Sequence, residues 1–137
     1  MLKQLLVGGL VSVANITIHA LMMTVVVYAA QAAARKTKSR SAWMLTGVMI
    51  ATVSVLMAAH AAEVAVWAFA YGIVDAVPPG TGVMYFAFVN YTTLGYGDVV
   101  PVKEWQLLGP VTAMNGVLLF GWSTAVIFDV LRKTMKA

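Results

Sequence analysis

Seven consecutive residues, Thr92, Thr93, Leu94, Gly95, Tyr96, Gly97 and Asp98, hold the chemistry of this chain, and what they offer is backbone oxygen. An alkali cation sheds its water only when other oxygens at similar distance replace the hydration shell, and successive carbonyls supply them if several point the same way. In an ordinary strand the peptide groups alternate in direction. Gly95 and Gly97 adopt left-handed dihedrals at little steric cost, so a run alternating glycine with Leu94 and Tyr96 can turn its carbonyls to one side and pack its side chains behind.

Other reactive side chains are few. The chain has two histidines, five acids and no cysteine, with no serine placed near a histidine in any recognisable motif, so enzymatic chemistry is not expected. The missing cysteine also excludes a disulfide framework and a thiolate-ligated metal. His60 and Glu63 fall on one helical face at i and i+3 inside an apolar stretch, where an ionisable residue is a functional hypothesis by default. A metal site built on that pair needs further ligands, and none stands at comparable spacing. Asn15 and His19 share a face of an earlier apolar stretch and are read as polar packing.

The elements that must position these residues lie in a bilayer. Of the 137 residues, 61% are hydrophobic and only 10% charged, and the mean hydropathy is +0.87, far from the quarter of charged residues in a soluble domain. Residues 5–34 contain no charge and outrun the core of a signal peptide. Residues 41–74, broken only by His60, Glu63 and a few hydroxyls, form a second span, and residues 105–131 a third. Between the last two, Pro78-Pro79-Gly80-Thr81 introduces an aromatic stretch, 82–92, too short to cross; it is predicted as a short helix capped by Thr81. Seven basic residues, Arg35, Lys36, Lys38, Arg40, Arg132, Lys133 and Lys136, fall on one side of this arrangement. The positive-inside rule makes that side cytoplasmic and puts the N-terminus outside. Nucleic acid is not an expected partner, because the positive charge is spent on topology.

The segment Thr92 to Asp98 resembles the selectivity filter of potassium channels, with Leu94 where valine or isoleucine is usual. The exit through Val99, Val100, Pro101 and Val102 to Trp105 is similar to that of bacterial two-helix potassium channels. The resemblance implies an all-α membrane protein: three transmembrane helices, a re-entrant pore helix and a filter loop, assembled as a homotetramer. It implies potassium ligation by the Thr93 hydroxyl and the carbonyls of Thr93, Leu94, Gly95 and Tyr96, with Gly97 at the outer mouth. It divides the chain into an N-terminal helix with its basic loop, 1–40, and a pore domain, 41–137. The short helix would point its negative end at a central cavity.

Against the family pattern, Tyr85 and Phe86 stand where tryptophans commonly support the filter tyrosine, and Val89 where some bacterial channels carry a glutamate paired to the filter aspartate. Thr92, Asp98, Tyr85, Glu63 and His60 are therefore the expected filter support, Glu63 being oriented by His60 toward groups behind the filter or near Asp98. Gly116 and Gly121 are candidate gating hinges, and Asn115 is a candidate cavity dipole or interhelical bond. Trp43 and Trp105 suit the membrane interfaces, and Trp67 and Trp122 suit packing. No arginine series marks a voltage sensor, and with few residues after Leu131 no soluble regulatory module is expected.

The expected function is a potassium-selective channel of the plasma (bacterial inner) membrane, with potassium as permeant ion and no cofactor. The alternatives are a weakly selective cation channel and a non-conducting membrane interaction subunit.

Overall fold

No proline precedes Pro78, and the two long apolar stretches before it fold as uninterrupted helices. The structure is a computed structural model that describes residues 1–36 and 42–136. In chain order it contains α1 (Leu2–Lys36), α2 (Ala42–Ile73), α3 (Val83–Tyr91), a 3-10 turn (Lys103–Trp105) and α4 (Leu108–Lys136). Helices α1, α2 and α4 are each long and apolar enough to cross a membrane. At 1.5 Å per residue α3 reaches only about 14 Å, under half of a hydrocarbon core of about 30 Å. The protein is thus an all-α membrane protein with three spanning helices and one short helix between the last two. Lys38 and Arg40, two of the basic residues used for topology, lie outside the described residues.

Two boundaries differ from the sequence expectation. Gly82, not Thr81, is the N-cap of α3, because the first helical bond runs from the Phe86 N–H to the Gly82 carbonyl at 3.0 Å, while the Thr81 N–H closes a turn onto the Pro78 carbonyl at 3.1 Å. Trp105, the expected start of the third span, belongs to the 3-10 turn, and α4 begins at Leu108. Pro110 fits that first turn because its missing N–H has no helical acceptor there. The N–H of Leu107, otherwise an orphan at the helix start, donates to Gln4 Oε1 at 2.8 Å.

Helices α2 and α3 both end on a left-handed residue followed by an N–H that bonds five residues back. The N–H of Ala76 reaches back to the Tyr71 carbonyl at 3.1 Å across Asp75, which has φ of 53°. At the end of α3, Leu94 N–H donates to Val89 O at 3.0 Å and Thr93 N–H to Asn90 O at 3.2 Å, with Thr93 at φ 58°. This is the paired bonding of a Schellman ending, which requires one left-handed residue and usually takes glycine. A β-branched residue there costs about 1–2 kcal/mol, so the surroundings must hold Thr93 in place.

Helix α1 runs parallel to α4 and antiparallel to α2. Gln4 meets Leu107, Asn15 meets Asn115, and His19 meets Ser123, while Glu63 and His60 of α2 run past them in the opposite sense. The C-terminal ends of α1 and α4 and the start of α2 therefore share one end of the bundle. Two apolar cores divide its length. One gathers Trp67, Tyr71, Phe86, Tyr91 and Leu108 around α3; the other gathers Met23, Val26, Leu56, Val126 and Val130 toward the basic end. A buried polar layer of Asn15, His19, His60, Glu63, Asn115 and Ser123 lies between them. Lipid is as apolar as leucine, so such hydrogen bonds and close packing hold membrane helices together.

Candidate functional site

The segment Thr92 to Asp98, which resembles a filter and is given that label for its position, leaves α3 directly. After the left-handed Thr93, positive φ recurs at every second residue, 58° at Gly95 and 80° at Gly97, and the intervening Leu94 and Tyr96 have ordinary negative values. Reversing φ at alternate residues rotates alternate peptide planes, which lets carbonyls that would point to opposite sides point to one. The alternation begins at Thr93, two residues before the first of the glycines that signal it in the sequence. Leu94 and Tyr96 leave 49% and 73% of their surfaces exposed within the chain, so the filter's side chains lack a packed wall of their own.

The last carbonyls of α3 are partly occupied. Phe88 O accepts from the Thr92 N–H at 2.9 Å and from its hydroxyl at 2.7 Å, and Val89 O and Asn90 O take the N–H groups of Leu94 and Thr93. What α3 points toward the filter is its summed dipole rather than a set of free oxygens. The exit of the filter is tied back to the end of α2 by Val102 N–H donating to Ala76 O at 3.1 Å.

Two groups of polar contacts adjoin this segment. At its Asp98 end the Tyr85 hydroxyl donates to Asp98 Oδ2 at 2.7 Å. This bond raises the Tyr85 pKa, with minor contributions from desolvation and neighbouring charge. Phe86, the other residue at a family tryptophan position, is fully buried and packs edge-on against Tyr71 with centroids 4.8 Å apart.

Behind the filter, Glu63 is completely buried and meets α3 through Tyr91, whose hydroxyl donates to Oε2. Glu63 does not reach Asp98; Tyr85 does. His60 Nδ1 lies 3.0 Å from Glu63 Oε2 and 2.9 Å from the Tyr91 hydroxyl. His19 Nδ1 of α1 lies 2.8 Å from Oε1. His60 Nε2 contacts Ser123 Oγ at 2.9 Å, and His19 Nε2 approaches the same oxygen at 3.4 Å. No third ligand stands at comparable spacing in the sequence, but the fold brings His19 in from α1, with one ring nitrogen within 4.8 Å of a ligand atom of each. The carboxylate itself, however, fills the centre of this cluster, with hydrogen-bonded contacts where a metal would need empty space.

Asn115 makes interhelical hydrogen bonds, the second of its two expected roles. It is buried, and its Oδ1 accepts from Trp67 Nε1 at 3.0 Å and Asn15 Nδ2 at 3.2 Å. The Asn15 amide also donates to the Glu63 carbonyl at 3.2 Å. Gly116 passes the end of α3 so closely that an added Cβ would run into the Tyr91 carbonyl oxygen, whereas at Gly121 it would meet nothing within 4 Å. Helix α4 continues through both.

A family model described as an ion channel matches residues 59–133, more than half of the chain. The chain belongs to this ion channel family. Searches of curated proteins and of solved structures gave no match. The matched part of the channel starts beside His60 and takes in Glu63, α3, the filter and nearly all of α4. Helix α1 lies outside it, yet supplies Asn15 and His19 to the layer beneath α3. Sequence reasoning placed those two in plain packing and did not single out Tyr91 or Ser123. A signal existed in the i, i+4 spacing of Asn15 and His19, the same kind of polar stripe as His60 and Glu63, but nothing in the chain says that the two stripes face each other.

Proposed function

We propose that the channel is potassium-selective and that four copies close the filter around a central axis, each supplying one wall. The observation that carries this reading is the reversal of φ at Thr93, Gly95 and Gly97, the local geometry that a run of inward carbonyls requires. The ligands are the Thr93 hydroxyl and the carbonyls of Thr93, Leu94, Gly95 and Tyr96, and Gly97 forms the outer mouth. A single chain provides one filter segment, and a ring of oxygens needs several. The exposed Leu94 and Tyr96, beside an open cleft of about 600 Å³ lined by Val89, Thr93, Val100, Pro101 and Ala113, are the surface against which a second copy would pack.

Selectivity in this scheme depends on the rigidity of the filter's backing. Tyr85 fixes Asp98, and the layer of Glu63, His60 and Tyr91 fixes the end of α3, so the bracing is divided between an outer and an inner point. The basic ends of α1 and α4 face the cytoplasm and the filter faces outside, in the plasma (bacterial inner) membrane. Gly121, with space around it, is the better placed hinge, and Gly116 is a packing contact.

The test is the reversal potential of purified protein in a planar bilayer with potassium on one side and sodium on the other. A reversal far toward the potassium equilibrium value is expected, and Gly95→Ala should abolish the current. Current that reverses near zero would replace this reading with a weakly selective cation pore. Silence from protein verified as folded and tetrameric would favour a non-conducting interaction subunit.

A further inference from the structure

The layer beneath α3 has a proton inventory that can be counted. Glu63 accepts at Oε1 from His19 and at Oε2 from Tyr91 and His60, the pattern of an acceptor-only, ionised carboxylate. Tyr91 uses its one hydrogen on Glu63, so His60 Nδ1, 2.9 Å from the Tyr91 oxygen and 3.0 Å from Oε2, faces two acceptors and must be an N–H. His19 Nδ1 faces a carboxylate oxygen and must be one as well. The two remaining nitrogens, His19 Nε2 and His60 Nε2, both face Ser123 Oγ. A hydroxyl has a single hydrogen and can satisfy only one bare ring nitrogen.

With both rings neutral, one Nε2 lone pair therefore opposes an oxygen lone pair, and the cluster carries an uncompensated negative charge at membrane depth. With both rings protonated, no partner is left for the serine hydrogen and the cluster is net positive. With one proton added, Nε2–H of one histidine donates to Ser123, Ser123 donates to the other, every contact is satisfied, and the imidazolium balances Glu63. We infer that His19 and His60 form a binding site for a single proton, shared across α1 and α2 through Ser123 and paired with Glu63.

The groups facing this site come from every helix packed against it. They are His19 from α1, His60 and Glu63 from α2 and Tyr91 from α3. Among the described residues α4 brings no titratable side chain to it, only Ser123 and the rings of Phe120 and Trp122. Occupancy of the site bears on the filter because Tyr91 is bonded to Glu63 and His60 and precedes Thr92, the C-cap of α3. The site stands on this geometry and not on which ion the pore conducts.

His19 and His60 are the only histidines of the chain, so nitrogen-15 labelling of histidine in the intact protein in lipid bilayers reads the site directly. Spectra taken between about pH 5 and 8, the interval in which an unperturbed histidine changes charge, should show one imidazolium per chain over part of the range. The second ring should be neutral and carry its hydrogen on Nδ1. Glu63→Gln, which keeps the shape and removes the charge, should abolish the shared state, and Ser123→Ala should uncouple the two rings. Two neutral rings throughout, or two rings that protonate independently and identically, would overturn the assignment. Current is a second readout: it should fall as the proton is lost on the alkaline side, and a current flat over the interval in wild-type protein would sever the site from the filter.

Discussion

Replacement of Gly116 by alanine tests how closely α4 holds the end of α3. The new Cβ would run into the Tyr91 carbonyl oxygen and stand 3.0 Å from its carbon and 3.4 Å from its ring. Both closest obstructions are backbone, so no rotamer change relieves them; α3 or α4 must shift. Overpacking of this kind costs about 1–3 kcal/mol, while removing a glycine from a helix interior returns about 0.8–1.0 kcal/mol. With a backbone obstruction, the net loss for Gly116→Ala should be about 1–2 kcal/mol, a factor of about 5–30 in the folded ratio. Gly121→Ala meets nothing within 4 Å and should gain about 1 kcal/mol from propensity alone. Unfolding in detergent, followed by the fluorescence of the four tryptophans, gives the two stabilities, and bilayer recording gives the currents. Gly116→Ala should be less stable and conduct poorly, because the displaced carbonyl belongs to the residue before Thr92. Gly121→Ala should be more stable and, if that glycine bends, slower to open. Equal stability of the two variants with unchanged conduction would refute the close approach.

His19→Ala should cost about 1–3 kcal/mol by removing one donor from a buried carboxylate, whereas a surface substitution on α1 should change unfolding little. Glu63→Gln should shorten the lifetime of the conducting filter and lower ion occupancy; unchanged occupancy, read by isothermal titration with potassium, would remove Glu63 from filter support. Tyr85→Phe should hasten the loss of current during sustained recording, because Asp98 loses its donor. Since the Tyr85 pKa is raised by that bond, the stabilisation it gives is present in full below the ordinary tyrosine value of about 10 and is lost as pH rises through the higher, folded value. Tyr85 should therefore contribute in full and without pH dependence near neutrality, and a Tyr85→Phe difference that vanished between pH 6 and pH 8 would contradict this account. Gly95→Ala should abolish current with little change in assembly, since its φ of 58° is strained for alanine while the nearest atom, Thr93 O, stands at an ordinary 3.6 Å.

What was legible from the sequence follows the reach of each interaction along the chain. The filter is contiguous, and glycines at 95 and 97 announce the backbone they permit. The helices were legible in number and kind, because a charge-free stretch of spanning length has few other fates. Thr93 was not expected in a left-handed conformation, since β-branched residues avoid it; the paired Schellman bonds from Leu94 and Thr93 itself impose it. The N-cap lies at Gly82 rather than Thr81 because the Pro78 turn runs through Thr81 and the first helical bond is accepted one residue later, at the Gly82 carbonyl. The sequence could not say that Asn115 joins helices, because its partners Asn15 and Trp67 meet it only in the folded bundle. The same holds for Glu63, whose three donors come from three helices.

The polar ties of α1 also set an order of assembly. Its partners on α4 and on the residue just before it are remote in sequence: Gln4 and Leu107 are 103 positions apart, Asn15 and Asn115 are 100 apart, and His19 and Ser123 are 104 apart. During synthesis α1 enters the bilayer first, with an amide and an imidazole that α2 only partly satisfies. The bundle then closes when the last helix arrives and slides into register beside the first. Helix α4 acts as the latch of the fold, and a chain interrupted before it leaves an incomplete polar seam in the membrane, the kind of exposed signal by which an unfinished membrane protein can be recognised and removed.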